Sequence, residues 1–547
     1  MVHMASTTTT PPPATAIDSS ATDTANPRRW AILAVLCTSL LLVMLGNTAL
    51  NLALPSISSD LGLSSSSQQW VVDAYSLVFA GLLFTTSSFG DRFGRKGVMQ
   101  AGLALFAGAT AFAAFFASNG AGLIAARGVM GLAGAMIMPS TLSILTNVFP
   151  ANERARAIAI WTAVSGGGSA IGMMISGFLL EHWSWHSVFL LNLPVAGVAM
   201  IAGMVLVPTS RDPEHPKLDF FGAALSTAGI ATVVYGLIEA PTHGWTSSST
   251  LTYLIGGALL VGAFVAWELR ASSPMLDIRL FRQPKFGISS LALTLVFFAL
   301  MGVFFSISQL FQLVMGYGTF ESAVRLAPIF VAMIVVAPRS PRLVQRFGAR
   351  AVVAGGLALV GTGIAVLAML PGDPGYTQVA IGLTVTAAGM ALAMSPTTEL
   401  LMSSVPRTKA GMGAAMNDTT RELGGSLGVA VLGSVLASQY AAGVGSATAG
   451  LPATAAATAK ASLAGALHVA SHLPAAQAGH FATAAKSAWM SGLSTSMVVG
   501  ALIIGVAAAI ARFGLPSRLD TADAPVDDLD FELELELAGS ELAGAAA

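Results

Sequence analysis

The chain has 547 residues, of which 54% are hydrophobic and only 10% charged, with a formal net charge of −1. A soluble domain carries roughly 25% charged residues, so the balance excludes an ordinary soluble protein and leaves a polytopic membrane protein. The near-zero net charge gives no bulk electrostatic reason to expect nucleic acid, and the single cysteine, Cys37, excludes an intrachain disulfide and a thiolate metal site.

Residues 1–28 are rich in Thr, Pro, Ala and Ser and read as a disordered cytoplasmic N-terminus. They lack the charged-then-apolar plan of a cleaved signal peptide. Fourteen apolar runs follow, at 30–55, 69–89, 97–117, 121–145, 157–180, 187–207, 220–240, 250–268, 287–313, 320–338, 351–370, 377–402, 411–437 and 487–512. Most exceed the roughly 20 residues that cross about 30 Å of hydrocarbon as a helix. The expected fold class is therefore an all-α integral membrane protein with 14 transmembrane helices. Its expected plan is a six-helix bundle at 29–208, two inserted helices at 219–268 and a second six-helix bundle at 286–513. The long loop 438–486 is expected outside the cell, and 514–547, with nine acidic residues from 519 onward, as a solvated, disordered cytoplasmic tail.

Basic residues test this topology. Of the 26 Lys and Arg, 21 fall on one side, in the loops 90–97, 149–157, 208–219, 269–286, 339–350 and 403–410 and at the two chain ends. The alternate loops 58–68 and 241–249 have none. That asymmetry places both termini in the cytoplasm. The eight Trp lie near the ends of the expected spans, where interfacial anchors belong.

Ser88–Val98 reads SFGDRFGRKGV and joins the second and third spans. Gly90 and Gly94 are expected to let the backbone turn, since they lack a Cβ. Asp91, Arg92, Arg95 and Lys96 crowd the turn. The pattern returns at 342–350, RLVQRFGAR, where Arg346, Phe347 and Gly348 repeat Arg92, Phe93 and Gly94. Such an offset, nearly half the chain, suggests a transporter built from an internal repeat.

Ionisable groups inside spans are costly and default to functional hypotheses. Here they are Asp73, Arg127, Asp418, Arg421 and Glu422. Asp418, Arg421 and Glu422 stand at i, i+3 and i+4 and share a helix face. Glu422 lies about eleven residues into its span, roughly 16 Å deep. Arg421 is expected to neutralise one carboxylate and leave the other free to take up a proton; a static ion pair that fixes packing is the plainer reading. Asp73 is expected about one turn below the outer surface, lining a vestibule or snorkelling to water. Arg127 needs a partner from another helix, with Asp73 one candidate. In GGGSAIGMMISG, Gly168, Gly172 and Ser176, followed by Gly177, give small-xxx-small spacing. That spacing serves close helix packing, or a sliding seal between halves. Gly424 and Gly428 repeat it, with packing the safer reading. His468, His472 and His480 could hold a metal, but a surface helix or loose loop is the better expectation. No metal, no cofactor and no enzymatic nucleophile–base set is expected.

These stretches resemble a known family. GDRFGRKG is similar to the loop 2–3 signature of the major facilitator superfamily. LGNTALNLALPSI at 45–57 resembles the first-helix signature of its fourteen-helix drug:proton antiporter branch, the QacA/EmrB-like multidrug exporters. AIGMMISGFL, HWSWHSVFLLNLP and NDTTRELGGSLGVAVLG also resemble family stretches. The resemblance implies two bundles rocking about a central cavity and export of lipophilic drugs or antibiotics against inward proton flow. It implies that Asp91 pairs with basic residues as a conformational latch and that Arg127 belongs to the proton relay. The expected partners are a lipophilic small molecule, protons and the bilayer, with a monomeric chain and no nucleic acid. Two departures stand out. Gly46 occupies the place of the family's first-helix acid; neighbouring Asn47 can hydrogen-bond but not titrate, and Asn47 and Asn51 become the candidates for that part of the cavity. Met173 and Ser176 replace the usual Pro and Gly of the fifth-helix motif, which puts its bend in question. Met44, Met130, Met138, Phe304, Phe305, Met390 and Met394 suggest an adaptable apolar cavity. The alternatives are a uniporter, importer or lipid-moving protein without proton coupling, favoured by Gly46, and a non-transporting membrane sensor.

Overall fold

The computed structural model describes residues 27–209, 219–271, 274, 276–405 and 410–515. The expected N-terminal lead and acidic tail lie almost wholly outside the described residues, as do the side chains of Asn47 and Asp91 and the surroundings of Gly168. Among the described residues there is helix and no strand. The first half contains α1 (Arg29–Leu61), α2 (Ser65–Phe93), α3 (Arg95–Phe115), α4 (Gly120–Val148), α5 (Ala151–His182) and α6 (His186–Leu206). Next come α7 (Phe220–His243) and α8 (Ser248–Glu268). The second half contains α9 (Pro284–Val314), α10 (Thr319–Phe347), α11 (Ala349–Ala368), α12 (Tyr376–Met402) and α13 (Ala410–Val444). Two short helices, α14 (Ala453–Ala461) and α15 (Leu463–Ser471), precede α16 (Ala475–Gly514).

Among the described residues, twelve helices are long and apolar enough to cross a membrane, so this is a multi-pass membrane protein. The long helices outside that twelve are α2 and α5. Their sequences nevertheless carry apolar stretches of spanning length, 71–88 with Asp73 as its one charge and 163–180 with none.

Short turns with polar caps set the helix ends. The Ser64 hydroxyl accepts from the Ser67 N–H, Asn119 caps Gly122, Asp219 caps Gly222 and Ser247 caps Thr250. Gly94, at φ 110°, makes the whole turn between α2 and α3, and Gly348, at φ 82°, does the same between α10 and α11. The repeat read from the sequence is thus a repeat of backbone geometry. Gly90 does not turn the chain: it lies inside α2, and its carbonyl accepts from the Gly94 N–H. With Gly94 alone supplying the left-handed φ, Gly90 stays in the helix.

Two large apolar clusters form. One gathers side chains from residues 32–207, joined by Phe305 and Val429; the other gathers residues 292–515, joined by Met173. The α7–α8 pair belongs to neither. α7 lies along the seam between α2 and α13, where Val234 and Ile238 bury against Leu77 and Ala430. The outer face of α8 exposes Leu251, Tyr253, Ile255 and Leu259, as a lipid-facing helix does.

The loop 438–486 is ordered rather than loose. Tyr440 donates its hydroxyl to the carbonyls of Ala459 (2.7 Å) and Ser462 (3.1 Å), pinning α14 and α15 to α13. His468, His472 and His480 are exposed on surface helices. Not every Trp is an interfacial anchor: Trp161 and Trp489 are buried, because α5 and α16 start well before the apolar runs that suggested their bounds, and Trp185, in the turn before α6, is buried with its indole N–H donated to Asp60 Oδ2 at 2.7 Å.

Candidate functional site

The ionisable side chains of the spans converge where α2, α4 and α13 meet. Arg127 is fully buried on α4. Its Nε donates to the Val71 carbonyl on α2 at 3.0 Å and its Nη1 to the Gly46 carbonyl on α1 at 2.7 Å. The guanidinium lies over the Tyr75 ring, 4.6 Å from its centroid. Gly131 makes this reach possible: a Cβ there would collide with the Tyr75 carbonyl, so only glycine lets α4 come this close to α2. The expected Arg127–Asp73 pair does not form. Two helix carbonyls and a ring face take the guanidinium instead, and Nη2 has no hydrogen-bond partner.

Asp73 is not near the surface. It is 0% exposed, and its Oδ1 accepts from the Ser426 hydroxyl on α13 at 3.1 Å. One helical turn away, the Ser434 hydroxyl donates to Gln69 Oε1 at 3.0 Å. These bonds tie residues 29–206 to residues 284–515 at mid-height. Asp73 Oδ2 and Gln69 Nε2 stay unpartnered, a set of buried polar groups that would cost roughly 1–3 kcal/mol each if left permanently without water.

Glu422, partly buried on α13, is within hydrogen-bonding reach of Ser76 on α2 and within electrostatic reach of Arg127 and Asp418. Arg421 acts on Asp418 and Glu422 through space rather than by direct contact. Among the described residues no ion pair within 4.0 Å joins Arg421 to Asp418 or Glu422. Arg421 sits 5.4 Å from the Phe297 ring centroid, and its Nε is unpartnered. Asp418 accepts from Asn417 Nδ2 at 3.3 Å. The carboxyl groups are therefore held by neutral hydroxyls and amides rather than by fixed ion pairs.

No acidic side chain fits at position 46 as the bundle stands. A Cβ there would fall 2.6 Å from Phe106 Cζ and 3.4 Å from Met130 Cε. Asn51 engages the other half through its backbone: its carbonyl accepts from the Ser308 hydroxyl at 2.6 Å, while its own Oδ1 has no partner. Of the Met and Phe residues expected to line a cavity, Met130, Met138, Phe305 and Met390 are buried core.

The end of the bundle remote from the chain's N-terminal entrance into α1 is closed. There Gln312 Nε2 donates to the Leu52 carbonyl at 2.9 Å, and Ser65 Oγ to the Ala461 carbonyl at 2.9 Å. Gly177 brings α5 against α10, since a Cβ on it would lie 2.8 Å from Ala323 Cβ. Ser176 is buried beside it, Gly172 is buried one turn earlier, and Met173 joins the core of the other half. α5 runs unbroken through the missing Pro. Glu181 caps the start of α10: its Oε2 accepts from Thr319 Oγ1 at 3.2 Å and from the Phe320 N–H at 3.1 Å. A carboxylate at a helix N-terminus contributes about 0.3–1 kcal/mol. Glu181→Ala is expected to loosen this end by about that amount, roughly two- to fivefold in the population open there. Faster alkylation of Gln312→Cys in the Glu181→Ala background reads it; unchanged alkylation removes Glu181 from the seal.

At the opposite end, Lys96 Nζ donates to the Met204 carbonyl at 2.8 Å, and Arg92 lies 5.6 Å from the Phe93 ring centroid. Arg346 repeats that contact with Phe347 at 5.3 Å. Arg95 stands at the start of α3. Among the described residues, no hydrogen bond joins the two halves at this end; those that do join them lie at mid-height or at the closed end.

A many-pass helical bundle with one arginine and two carboxyl groups sunk at the contact between its halves is the architecture of a membrane transporter. Residues 36–429 match the model of the Major Facilitator Superfamily, and the chain belongs to that family. It is 35% identical to the multidrug efflux pump LfrA of Mycolicibacterium smegmatis over 91% of this chain and 98% of that protein. It is 32% identical to the tetracenomycin C resistance and export protein of Streptomyces glaucescens, over 89% of this chain and 91% of that protein. The fold is similar to that of a bacterial homologue of the human lysosomal transporter Spinster in an inward-facing, unoccupied conformation, with a TM-score of 0.62 at 19% identity, covering 89% of this chain and 97% of that one.

Proposed function

We propose that this protein is a proton-driven exporter of lipophilic small molecules, drugs or antibiotics among them, across the cell membrane. The observation that carries the reading is the meeting of Glu422, Asp73 and Arg127 at the seam between the halves, where only neutral groups hold the carboxyls. A proton taken up at Asp73 changes the strength of the Ser426 bond that bridges the seam, and one taken up at Glu422 changes its interaction with Ser76 across the same seam. Proton binding is thereby linked to which end is open, as alternating access requires. The exporters among the relatives support the substrate class.

In this reading the chain crosses the bilayer fourteen times, with α2 and α5 completing two six-helix bundles at 29–208 and 286–513, and α7 and α8 inserted between them. Both termini are cytoplasmic, the closed end faces outward, and the state described is inward-facing. Gly90–Lys96 and Arg346 form the latch of the opposite state, and the chain works as a monomer. Purified protein in proteoliposomes tests the reading. Adding a transported drug is expected to move protons, reported by a pH-sensitive dye. Gly46 favours the competing reading, a uniporter or lipid-moving protein; substrate movement with no proton movement at any pH selects it.

A further inference from the structure

A cavity of about 380 Å³ opens between α7, α8, α2 and α13, away from the charged cluster. Its walls include Ala80 and Gly81 of α2, Ile230 of α7, Val261 of α8, Phe281 of the linker into α9, and Leu423 of α13. Among the described residues, no charged side chain lines it. Three features set its ligand chemistry. First, the lining is apolar, and the cavity lies between the inserted helix pair and the α2–α13 seam, so it suits a hydrocarbon-rich ligand. Second, Thr419 lines it, is nine-tenths buried, and has a hydroxyl without a hydrogen-bond partner. A hydrocarbon chain does not satisfy that hydroxyl; a molecule bearing an acceptor does. Third, Thr419 and Leu423 flank Glu422 on α13, and Ala80 stands one turn beyond Ser76 on α2. The cavity therefore continues the α2–α13 seam that holds the Ser76–Glu422 contact.

We propose that this cavity is a lateral access site, through which a neutral, hydrocarbon-rich substrate with one hydrogen-bond acceptor passes from the bilayer to the seam at Glu422. The inserted helix pair forms the outer wall of this site. The proposal rests on the exporter reading for its direction, but binding at the site does not.

The test uses the full-length protein and Nile red, a neutral dye that partitions into membranes. In detergent, wild-type protein is expected to bind the dye saturably with a rise in emission. Ile230→Trp and Val261→Phe fill the cavity and are expected to abolish that binding. Thr419→Val, nearly the same shape, is expected to weaken it about two- to tenfold, the value of one hydrogen bond. In proteoliposomes, both filling variants are expected to lose Nile red efflux. Wild-type dye binding and efflux in both filling variants overturns the proposal. So does displacement of Nile red from the wild-type protein by near-stoichiometric phospholipid, since a resident lipid then holds the site. Saturable binding that the filling variants remove, in a wild-type protein that exports nothing, upholds the site and rejects the exporter reading instead.

Discussion

Arg127→Met abolishes gradient-driven efflux and leaves the protein folded. The two halves of that expectation come from different physics. The Arg127 side chain is 0% exposed, and a buried charge is weak support for stability. The carbonyls it reaches, on Gly46 and Val71, lie inside α1 and α2 and keep their helical hydrogen bonds when the guanidinium leaves. Arg127 makes no ion pair among the described residues, so its removal strips no carboxylate of a salt bridge, and an apolar side chain in its place relieves the desolvation of a buried charge. The thermal midpoint in detergent is therefore expected at or above that of the wild type. In the proposed mechanism transport depends on the charge itself, because Arg127 and Glu422 act on each other electrostatically at the seam. Without the cation, the carboxyl has lost the partner that distinguishes its charged form from its neutral one. Arg127→Lys keeps the charge, but an ammonium cannot hold two carbonyls and lie flat on Tyr75 at once. Losing one charge-assisted bond is worth about 1.5 kcal/mol, or roughly tenfold in rate. Dye efflux from everted vesicles, beside a melting curve, checks both parts. An Arg127→Met protein that melts far below the wild type makes Arg127 a structural residue; one that pumps normally gives it no role.

The architecture was legible because charge is so scarce. Long apolar runs fix the helices, and the one-sided placement of Lys and Arg orders them. The RFG pattern at Arg92–Gly94 and Arg346–Gly348 reports a positive-φ glycine between two helices, which the structure places at both turns. The ends of α5 and α16 were misplaced because their first turns are polar or Ala-rich and dilute the apolar signal. The partners of the ionisable groups were not legible. Arg127 binds backbone carbonyls, and any residue supplies those. Asp73 meets Ser426 across 353 residues, and a serine inside an apolar helix stands out in no composition window. One signal was present. Gln69, Asp73 and Ser76 stand at i, i+4 and i+7, a polar stripe on one face of α2, and that stripe is the face turned to α13. Helices that are apolar all round give no such hint of which side meets which neighbour. Glu181 was passed over because it lies at the end of a span, where a carboxylate is ordinary; only its bond to the Phe320 N–H marks it as part of the closed end.

Glu422→Gln is expected to uncouple the transporter rather than to stop it. Gln has the same shape and the same reach toward the Ser76 hydroxyl, so the seam can close as before. What it cannot do is bind and release a proton. Uphill efflux driven by a proton gradient should fall to background, while exchange of labelled for unlabelled substrate across the membrane should persist near the wild-type rate. Substrate-induced proton movement should vanish with it. Asp418→Asn separates this expectation from a general loss of negative charge. Asp418 lies one turn earlier on α13, bonded only to its neighbour Asn417, with no contact across the seam. Its replacement is expected to change efflux by about threefold or less, the effect of removing one nearby like charge at roughly 0.5 kcal/mol. Asp73→Asn tests the other carboxyl of the seam. Asn still accepts from Ser426, so a protein that keeps gradient-driven efflux with Asp73→Asn and loses it with Glu422→Gln assigns the proton to Glu422. The reverse pattern assigns it to Asp73, and full coupling in both variants removes the α2–α13 seam from the proton path. That last result would leave Arg127 as a buried cation without a titrating partner at the seam, so the Arg127 and Glu422 experiments stand or fall on the same contact.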